Sequence, residues 1–427
     1  MKIIVCHPAQ QHSYRLATAI KMDHSLFKYL TTVYYRRGTF TWLVALLLRG
    51  RFKAKATNRK CHYLSAHDIK QYCEVEGLMK LLALNIPLFA KWYSFFNYDT
   101  ADRFARKVAN YAIKNDVDAV ITYDDCSPLL FEILEKEAPH IVRIMDFSAA
   151  NQIYMKKIYE HDMELQPDFA EKLKEERPAV QSPYIQDRLL REINATQYFL
   201  AGSRFVKESL EYSGVKPDQI RVCHYGVDVS QFQRECLFVR KENEPIRFVF
   251  VGGTKQLKGL SYMLEAFQHV DHQKATFTII GIDNLSEKLK QKYGKDVYFR
   301  GSVLHDQMPQ ELKKYDVMIF PSLGEGFGLS IIEAMACGLP VIATNHTGAN
   351  DIIEDGSTGF VIPIEDEKAI QEKMMWFINH REKIPQMGLS AMKTAKEMTW
   401  ESYYVHVAKA VKEIIRYEKE ESCFAGR

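Results

Sequence analysis

Short apolar runs alternate with segments of helical periodicity along most of the chain. The apolar runs lie at 3–6, 118–123, 140–145, 197–201, 247–251, 276–281, 297–301, 317–320 and 339–343. Short apolar runs bounded by turn-forming residues are typical of buried strands. Helices are predicted from about Ser13 and from Leu260, where apolar residues recur every three or four positions. Strands separated by helices predict parallel α/β sheets, and 427 residues are enough for two domains.

A glycine-rich loop between the runs 317–320 and 339–343 is the most informative stretch of the chain. Three glycines, at 324, 326 and 328, flank Glu325 and Phe327. Open α/β sheets bind ligands at the carboxyl ends of their strands, and glycines let the backbone approach a ligand closely. A helix-compatible segment follows from Leu329, and the amides of 328–330 would face outward from its N-terminus, where a phosphate binds well.

Two carboxylates, Glu325 and Glu333, stand eight positions apart in this stretch. Glu333 lies among apolar neighbours, and a carboxylate in such company needs hydrogen-bond donors. Sugar and ribose hydroxyls are suitable donors, so the pair could hold two rings of one ligand. Alternatively, Glu325 caps the helix and Glu333 forms an ordinary salt bridge.

The same stretch strongly resembles the signature of the retaining glycosyltransferases of family 4, which have the GT-B fold. The matching residues are Pro321, Ser322, Glu325, Gly326, Phe327, Gly328, Glu333, Ala334, Ala336, Gly338, Pro340 and Val341. The resemblance implies two Rossmann-like domains that face each other across a cleft, with a final helix that crosses back to the first domain. The expected boundaries are 1–235 for the acceptor domain, 246–398 for the nucleotide-sugar domain and 399–427 for the last helix.

The family implies roles for individual residues. Glu325 would bind the donor sugar, Glu333 the ribose, and Lys258 would neutralise the donor diphosphate. Further donor contacts are expected from Gly252, Gly253, Lys255, Gly326, Phe327, Gly328, Leu329, Ser330 and, beside the nucleobase, Val303. The family has an arginine where Gly253 stands, so Lys255 is the candidate replacement; otherwise it is a solvated surface lysine. A lysine beside a phosphate acts as a point charge and needs no fixed geometry.

The first domain resembles the family less closely. Gln10 and Gln11 replace its usual glycine pair, so His7 and His12 could reach the ligand instead, or be surface loop histidines. Asp146 stands where the family often has a histidine near the transferred sugar. It is the candidate acceptor-orienting or proton-accepting group, with a turn-forming, capping aspartate as the alternative. Residues 156–192 show no chemistry, and 235–245 are predicted to be the linker.

Composition narrows the function classes. Hydrophobic residues make up 47% of the chain and charged residues 26%, so both domains can bury a core, and the net charge of +3 argues against a general nucleic-acid binder. The eight cysteines show no paired spacing, which excludes a zinc-type cluster and argues against a disulfide framework. The first apolar run is too short for a signal peptide, and no run approaches the roughly 18 residues of a membrane span. We expect a cytoplasmic protein. The resemblance further implies that neither a metal nor a cofactor is needed, because Lys258 and the helix N-terminus at 328–330 would stabilise the diphosphate.

One segment predicts that this cytoplasmic protein also contacts a membrane. Residues 31–67 contain no Asp or Glu, and an apolar run at 40–48 is flanked by basic residues. The basic residues are Arg36, Arg37, Arg49, Arg51, Lys53, Lys55, Arg59 and Lys60. Such a segment suits an anionic membrane surface, on the inner face of the plasma membrane, through residues 36–60. The alternative is a core helix with a solvated basic end.

The resemblance therefore implies retaining transfer of a sugar from a nucleotide-sugar to a hydroxyl of a glycan or lipid-linked acceptor. Bacterial cell-surface polysaccharide or lipopolysaccharide synthesis is the expected setting. Two other functions are compatible with the sequence. One is a GT-B sugar-nucleotide 2-epimerase, and the other is a non-catalytic, membrane-associated subunit of a glycan assembly complex.

Overall fold

The computed structural model of the chain describes residues 1–10, 12–177, 182–232 and 244–425, without the side chains of Arg51 and of residues 422–425. Within these ranges the chain forms two sheets. The first contains β1 (Ile3–His7), β2 (Leu26–Thr31), β3 (Ile69–Gln71), β4 (Ala119–Tyr123), β5 (Val142–Phe147), β6 (Tyr198–Ala201) and β7 (Ile220–Val222).

Helices cover the first sheet and connect its strands. They are α1 (Ser13–Met22), α2 (Phe40–Leu47), α3 (Gly50–Thr57), α4 (Glu74–Asn85), α5 (Tyr93–Asn115), α6 (Leu129–Glu137), α7 (Gln152–Leu165), α8 (Pro167–Glu176), α9 (Pro183–Asn194) and α10 (Arg204–Tyr212). The short helix α11 (Val229–Phe232) follows β7 and packs against helices of the second sheet. Proline stands at the start of both α8 and α9, where its fixed φ suits a helix and its missing N–H costs nothing.

The second sheet is built in the same way. Its strands are β8 (Ile246–Val251), β9 (Ala275–Ile280), β10 (Val297–Gly301), β11 (Val317–Phe320), β12 (Val341–Thr344) and β13 (Gly359–Ile362). Its helices are α12 (Leu260–Gln268), α13 (Glu287–Tyr293), α14 (Met308–Leu312), α15 (Leu329–Ala336), α16 (Ala349–Ile352), α17 (Glu367–Asn379) and α18 (Ile384–Ala395). The central strands β8 and β11 are apolar and buried, as expected where helices cover both faces of a parallel sheet.

Strand order shows where each sheet can bind a ligand. The orders are β3-β2-β1-β4-β5-β6-β7 and β10-β9-β8-β11-β12-β13, and neighbouring strands run parallel throughout. The chain reverses its direction of travel across the sheet between β1 and β4, and again between β8 and β11. Such switch points open a crevice at the carboxyl ends of the strands. The predicted α/β class is confirmed, and both predicted glycine loops lie at the second switch point.

The last helix, α19 (Trp400–Ala425), returns to the first sheet. The Arg15 guanidinium donates to the Tyr404 hydroxyl at 2.8 Å, and the Lys412 ammonium lies 2.5 Å from the Asp23 carboxylate. Farther along, Lys419 pairs with Asp118. These contacts tie α19 to α1 and to the start of β4, so the chain passes from the second sheet back onto the first.

Several predicted boundaries need correction. The run at 140–145 is a strand that begins at Val142 and continues through Asp146 to Phe147, so Asp146 lies within β5 and not after it. Gln11, Cys236 and nearly all of the predicted linker 235–245 lie outside the described residues. The six cysteines whose side chains are described are free thiols.

Candidate active site

Two loops meet at the switch point of the second sheet because a glycine stands at their contact. Gly259 has a φ of +70°, and a β-carbon placed on it would lie 1.9 Å from the Pro321 carbonyl oxygen. Any other residue would force the backbone apart. The loop after β8 therefore lies directly against the start of the glycine loop after β11.

This contact brings together Lys258 and Glu325, the two residues predicted to act on the donor. The Lys258 ammonium forms an ion pair with the Glu325 carboxylate, and the Ser322 hydroxyl lies 3.5 Å from the same oxygen. Their side chains are 22% and 19% exposed, so the pair is partly shielded but still open to a ligand. Partial burial strengthens such charges relative to surface pairs.

The glycine loop is held against the first sheet. The Ser203 hydroxyl, at the start of α10, donates to the Gly326 carbonyl at 2.7 Å. A β-carbon on Gly326 would lie 1.9 Å from the Ser148 carbonyl oxygen, and one on Gly324 would lie 2.4 Å from the Met155 side chain. Glu325 is thus placed between the two sheets, where a ligand bound to one can meet a ligand bound to the other.

Phe327 lies beside the predicted donor contacts, but its ring points away from the cleft. It is buried, with its centroid 5.7 Å from that of His224 and 6.2 Å from that of Tyr225. Both partners belong to the segment after β7. The Phe327 side chain therefore packs at the contact between the two halves of the chain. Only the backbone of Phe327 contributes to the side of the glycine loop that faces the cleft.

The start of α15 presents several of the predicted donor contacts. Gly328 has a φ of +90°, which a side chain would disfavour, and Leu329 and Ser330 follow it half-exposed. Glu333, one turn further, has a side chain that is 13% exposed and lies 3.9 Å from the His305 ring. Burial raises the pKa of Glu333, and His305 lowers it. This carboxylate therefore has room for a hydroxyl donor from a ligand.

The remaining predicted donor residues line the same crevice. Val303 follows β10 and is half-buried two residues before His305. Gly252 is crowded, because a β-carbon there would lie 2.7 Å from the Phe250 ring. By contrast, a β-carbon on Gly253 would meet no atom nearer than 3.8 Å, and Lys255 is exposed. The position where the resembling family has an arginine is therefore sterically free.

Asp146 belongs to a buried cluster and not to the open cleft. The Tyr225 hydroxyl donates to one carboxyl oxygen at 3.0 Å, and the other oxygen has no hydrogen-bond partner among the described residues. Burial raises the pKa of Asp146 to about 7, although the hydrogen bond from Tyr225 lowers it. Asp124, at the end of the neighbouring strand β4, accepts from the Ser148 amide and hydroxyl, each at 3.0 Å, and Asn151 is the residue that caps α7.

The first loop carries histidines that pack against the protein. His7 is buried and accepts a hydrogen bond from the Ala9 amide at 2.7 Å. The His12 ring lies 5.0 Å from that of Tyr225, and burial lowers the pKa of its imidazole. The surface-histidine alternative is wrong for His7, which is buried, whereas His12 is half-buried, and Gln11 is outside the described part of the chain.

Residues from α7 and α8 also reach the crevice, although the sequence of this region showed no chemistry. The Glu176 carboxylate accepts from the amides of Gln256 and Leu257, each at 3.1 Å, directly before Lys258. The Asp162 carboxylate accepts from the Gln256 side chain at 3.0 Å and from the Tyr262 hydroxyl at 2.8 Å. No local sequence pattern could have identified Glu176 and Asp162, because their hydrogen-bond partners belong to the second half of the chain, including the loop after β8.

A cavity of about 890 Å³ opens beside the glycine loop on the side of the first sheet. Its walls include Tyr93, Tyr98, Asp124, Asp125, Ser148 and Arg177. Ser148 is also the residue that touches Gly326, so the cavity adjoins the Lys258–Glu325 pair. In the described residues no group of three or more His, Cys, Asp or Glu side chains has the arrangement of a metal site.

Comparison with known proteins identifies the second half of the chain. Residues 245–380 match the family model described as Glycosyl transferases group 1. The matched range lies in the second half of the chain. It contains every predicted donor residue, whereas the predicted acceptor residue, Asp146, lies before the matched range.

Individual relatives cover part of the chain. A 41.2 kDa protein of the cps region of Klebsiella pneumoniae is 29% identical over 45% of this chain and 54% of its own length. The Escherichia coli UDP-Gal:alpha-D-GlcNAc-diphosphoundecaprenol alpha-1,3-galactosyltransferase is 31% identical over 36% of this chain and 43% of its own. The chain thus spans about half the length of the curated relatives it matches.

A solved structure extends the similarity to the whole fold. The crystal structure of Anabaena Alr3699/HepE in complex with UDP covers 97% of this chain and 100% of its own, with a TM-score of 0.60 and 15% identity. At this identity the likeness concerns the fold alone. The predicted GT-B architecture is confirmed.

Proposed function

We propose that the protein is a retaining glycosyltransferase that moves a sugar from a nucleotide-sugar donor to a hydroxyl of a glycan or lipid-linked acceptor. We place it in the synthesis of a bacterial cell-surface polysaccharide or lipopolysaccharide, as a member of family 4. The observation that carries the proposal is the Lys258–Glu325 pair at the switch point of the second sheet. It combines a cation for a diphosphate with a carboxylate for sugar hydroxyls, at the place where such sheets bind ligands.

The proposed reaction needs stabilisation of the leaving diphosphate. Breaking the bond between the anomeric carbon and the diphosphate oxygen places negative charge on the phosphate. Lys258 and the amides at the start of α15 would stabilise that charge, and Lys255 would add a second cation. We therefore expect catalysis without a metal ion.

Retention of configuration follows if the acceptor attacks from the face that the diphosphate leaves. The acceptor oxygen bonds to the anomeric carbon as the bond to the diphosphate breaks, and its proton passes to the departing phosphate. This step needs no protein nucleophile, and we assign none. The cavity that includes Asp124 and Asp125 would hold the acceptor, and Asp146 would orient Tyr225 by accepting its hydrogen bond.

The separate roles of the two carboxylates can be tested directly. Glu333→Ala should weaken nucleoside diphosphate binding about tenfold, because a hydrogen bond to a charged group is worth about 1.5–3 kcal/mol. Glu325→Ala should leave that binding nearly unchanged and lower turnover of the full donor. Calorimetry with UDP, GDP and ADP, followed by turnover assays, measures both effects. Equal loss of nucleotide binding in both variants would contradict the assignment.

The same assays separate the other candidate functions. A 2-epimerase would convert the nucleotide-sugar without any acceptor, whereas a transferase would need one. A non-catalytic subunit would not turn over donor with any acceptor. The anomeric configuration of the product, read by NMR, decides whether transfer is retaining.

We also propose that the protein attaches peripherally to an anionic membrane, on its cytoplasmic face, through residues 36–60. Four apolar residues of α2 are exposed, namely Phe40, Leu43, Leu46 and Leu47, and Leu47 is 85% exposed. This exposure argues against the core-helix alternative. No helix in the described ranges is long and apolar enough to span a bilayer.

Vesicle binding tests this attachment. The protein should sediment with anionic vesicles at low salt and be released as salt is raised, because screening shortens the reach of its charges. Replacing Arg49, Arg51, Lys53 and Lys55 with Gln should weaken sedimentation without altering nucleotide binding. The matched control replaces Lys368, Lys383, Lys393 and Lys396, which are exposed in the second half. Failure of the unaltered protein to bind anionic vesicles at low salt would refute the proposal.

A further inference from the structure

A second, apolar cavity lies between α2, α3 and α4. It has a volume of about 370 Å³, which is within the range of small-molecule sites. Its walls include Val44 and Leu48 from α2 and its end, Phe52 and Ala56 from α3, and Leu78 and Leu82 from α4. None of these residues takes part in the donor site. An apolar cavity of this kind suits a hydrocarbon chain.

Cations border the cavity. Lys55 and Arg59 are among its lining residues, and the Lys55 ammonium donates to the Asn85 side chain at 3.0 Å. Arg59 is half-buried, and its guanidinium makes no hydrogen bond or ion pair with the side chains that the structure describes. A partly desolvated guanidinium without a carboxylate is costly unless an anion binds to it.

Lys80 supplies a second cation beside the cavity that Arg59 lines. It stands on α4 between Met79 and Leu81, which both line the cavity, and it too is half-buried with no ion pair to a described residue. Burial lowers the pKa of Lys80, and the charge of Arg59 lowers it further, whereas Asp125 acts in the opposite direction. Two half-buried cations beside one cavity, neither paired with a carboxylate of the described residues, favour a multivalent anion.

The position of this pair relates the cavity to the proposed reaction. The helix that carries Lys80, α4, packs against α5, and the first residues of α5 line the larger cavity beside the glycine loop. A molecule with its phosphates at Arg59 and Lys80 would therefore place a hydrocarbon chain in the apolar cavity and its head group toward the larger cavity. The exposed leucines of α2 lie on the outer side of the pair formed by α2 and α3. They provide a path for a hydrocarbon chain from a membrane to the cavity.

We propose that this cavity binds the hydrocarbon chain of a prenyl-diphosphate-linked acceptor, with Arg59 and Lys80 on its diphosphate. One cavity fits a single-chain lipid better than a diacyl lipid, and two adjacent cations fit a diphosphate. The proposal rests on the proposed function, because it names the class of acceptor. It also predicts lipid binding that needs neither donor nor turnover.

Calorimetry with farnesyl diphosphate tests the site, using farnesol, inorganic diphosphate and a short-chain phosphatidic acid as comparison ligands. The full chain should bind farnesyl diphosphate at least tenfold more tightly than any of the three. Arg59→Gln and Lys80→Gln should each weaken this binding about tenfold. Ala56→Trp should weaken it by filling the cavity, while Lys60→Gln, an exposed neighbour of Arg59, should leave it unchanged.

Two further measurements separate this site from the donor site and from misfolding. Lys258→Ala should retain farnesyl diphosphate binding, which excludes capture of the probe by the donor site. Thermal denaturation should show that the Arg59 and Lys80 variants remain folded. Unchanged affinity in the Arg59→Gln/Lys80→Gln double variant would overturn the proposal, as would equal affinity for inorganic diphosphate, farnesol or phosphatidic acid. Sugar transfer to a water-soluble glycan without any binding of farnesyl diphosphate would leave the transferase intact and refute only the lipid site.

Discussion

Replacing Lys258 with alanine is expected to lower the rate of sugar transfer by a factor of about 10² to 10³, the loss seen when one transition-state donor is removed. The ammonium is held at the cleft by Glu325 and would face the diphosphate as its charge develops. Because the charge forms mainly in the transition state, kcat should fall more than KM rises. Steady-state kinetics with the full donor measure both.

Three controls test whether the loss of rate is specific to the Lys258 ammonium and independent of a metal ion. Lys258→Arg keeps the charge but not the point-like ammonium, so it should retain an intermediate rate. Lys274→Ala removes an exposed lysine of the same half of the chain and should not alter turnover. A chelator should have no effect on the unaltered protein. Wild-type kcat in Lys258→Ala, or loss with chelator that a divalent ion restores, would contradict the proposed role.

The donor side of the site could be predicted from sequence because its residues are local to two strand–loop–helix units. Glu325 and Glu333 lie eight positions apart on one loop and one helix, and Lys258 follows the neighbouring strand. In a parallel sheet the carboxyl ends of neighbouring strands share one edge. The structure accordingly places Lys258 against Glu325.

The acceptor side could not be predicted in the same way. Glu176 and Asp162 reach the crevice through contacts between the two sheets, and nothing in their local sequence marks those contacts. Asp146 was expected near the transferred sugar because the resembling family often has a histidine at this position. It is accommodated inside β5 because Tyr225, far along the chain, donates a hydrogen bond to it.

The sequence of the apolar run at 40–48 allows two interpretations, and only the tertiary structure favours one of them. The apolar run at 40–48 is compatible with a core helix or with a helix on a membrane. In the structure, α2 buries Thr41 and Ala45 and exposes four apolar side chains on its other side. Which face a helix buries depends on its neighbours, here α3 and α4, and not on its own sequence.

Gly326→Ala is expected to lower turnover by about 10², because it should separate the two halves of the site. A β-carbon at this position would lie 1.9 Å from the Ser148 carbonyl oxygen and 2.8 Å from its carbonyl carbon, so backbone must move. The hydrogen bond that the Ser203 hydroxyl donates to the Gly326 carbonyl would be distorted as well. A displacement of about 1 Å of positioned groups can cost about 10² in rate.

The matched control is another glycine of the same crevice. A β-carbon on Gly253 would meet no protein atom nearer than 3.8 Å, so Gly253→Ala should leave the backbone in place and show the effect of an added methyl group without displacement of the two sheets. Nucleoside diphosphate binding should survive in both variants, because Glu333 and the start of α15 lie on the second sheet alone. Calorimetry and kinetics on the two variants, with thermal denaturation to show that both are folded, make the comparison. If Gly326→Ala turned over donor at the wild-type rate, the contact between Gly326 and Ser148 would have to open during the reaction, and the close approach of the two sheets at Glu325 could not be the arrangement in which sugar is transferred.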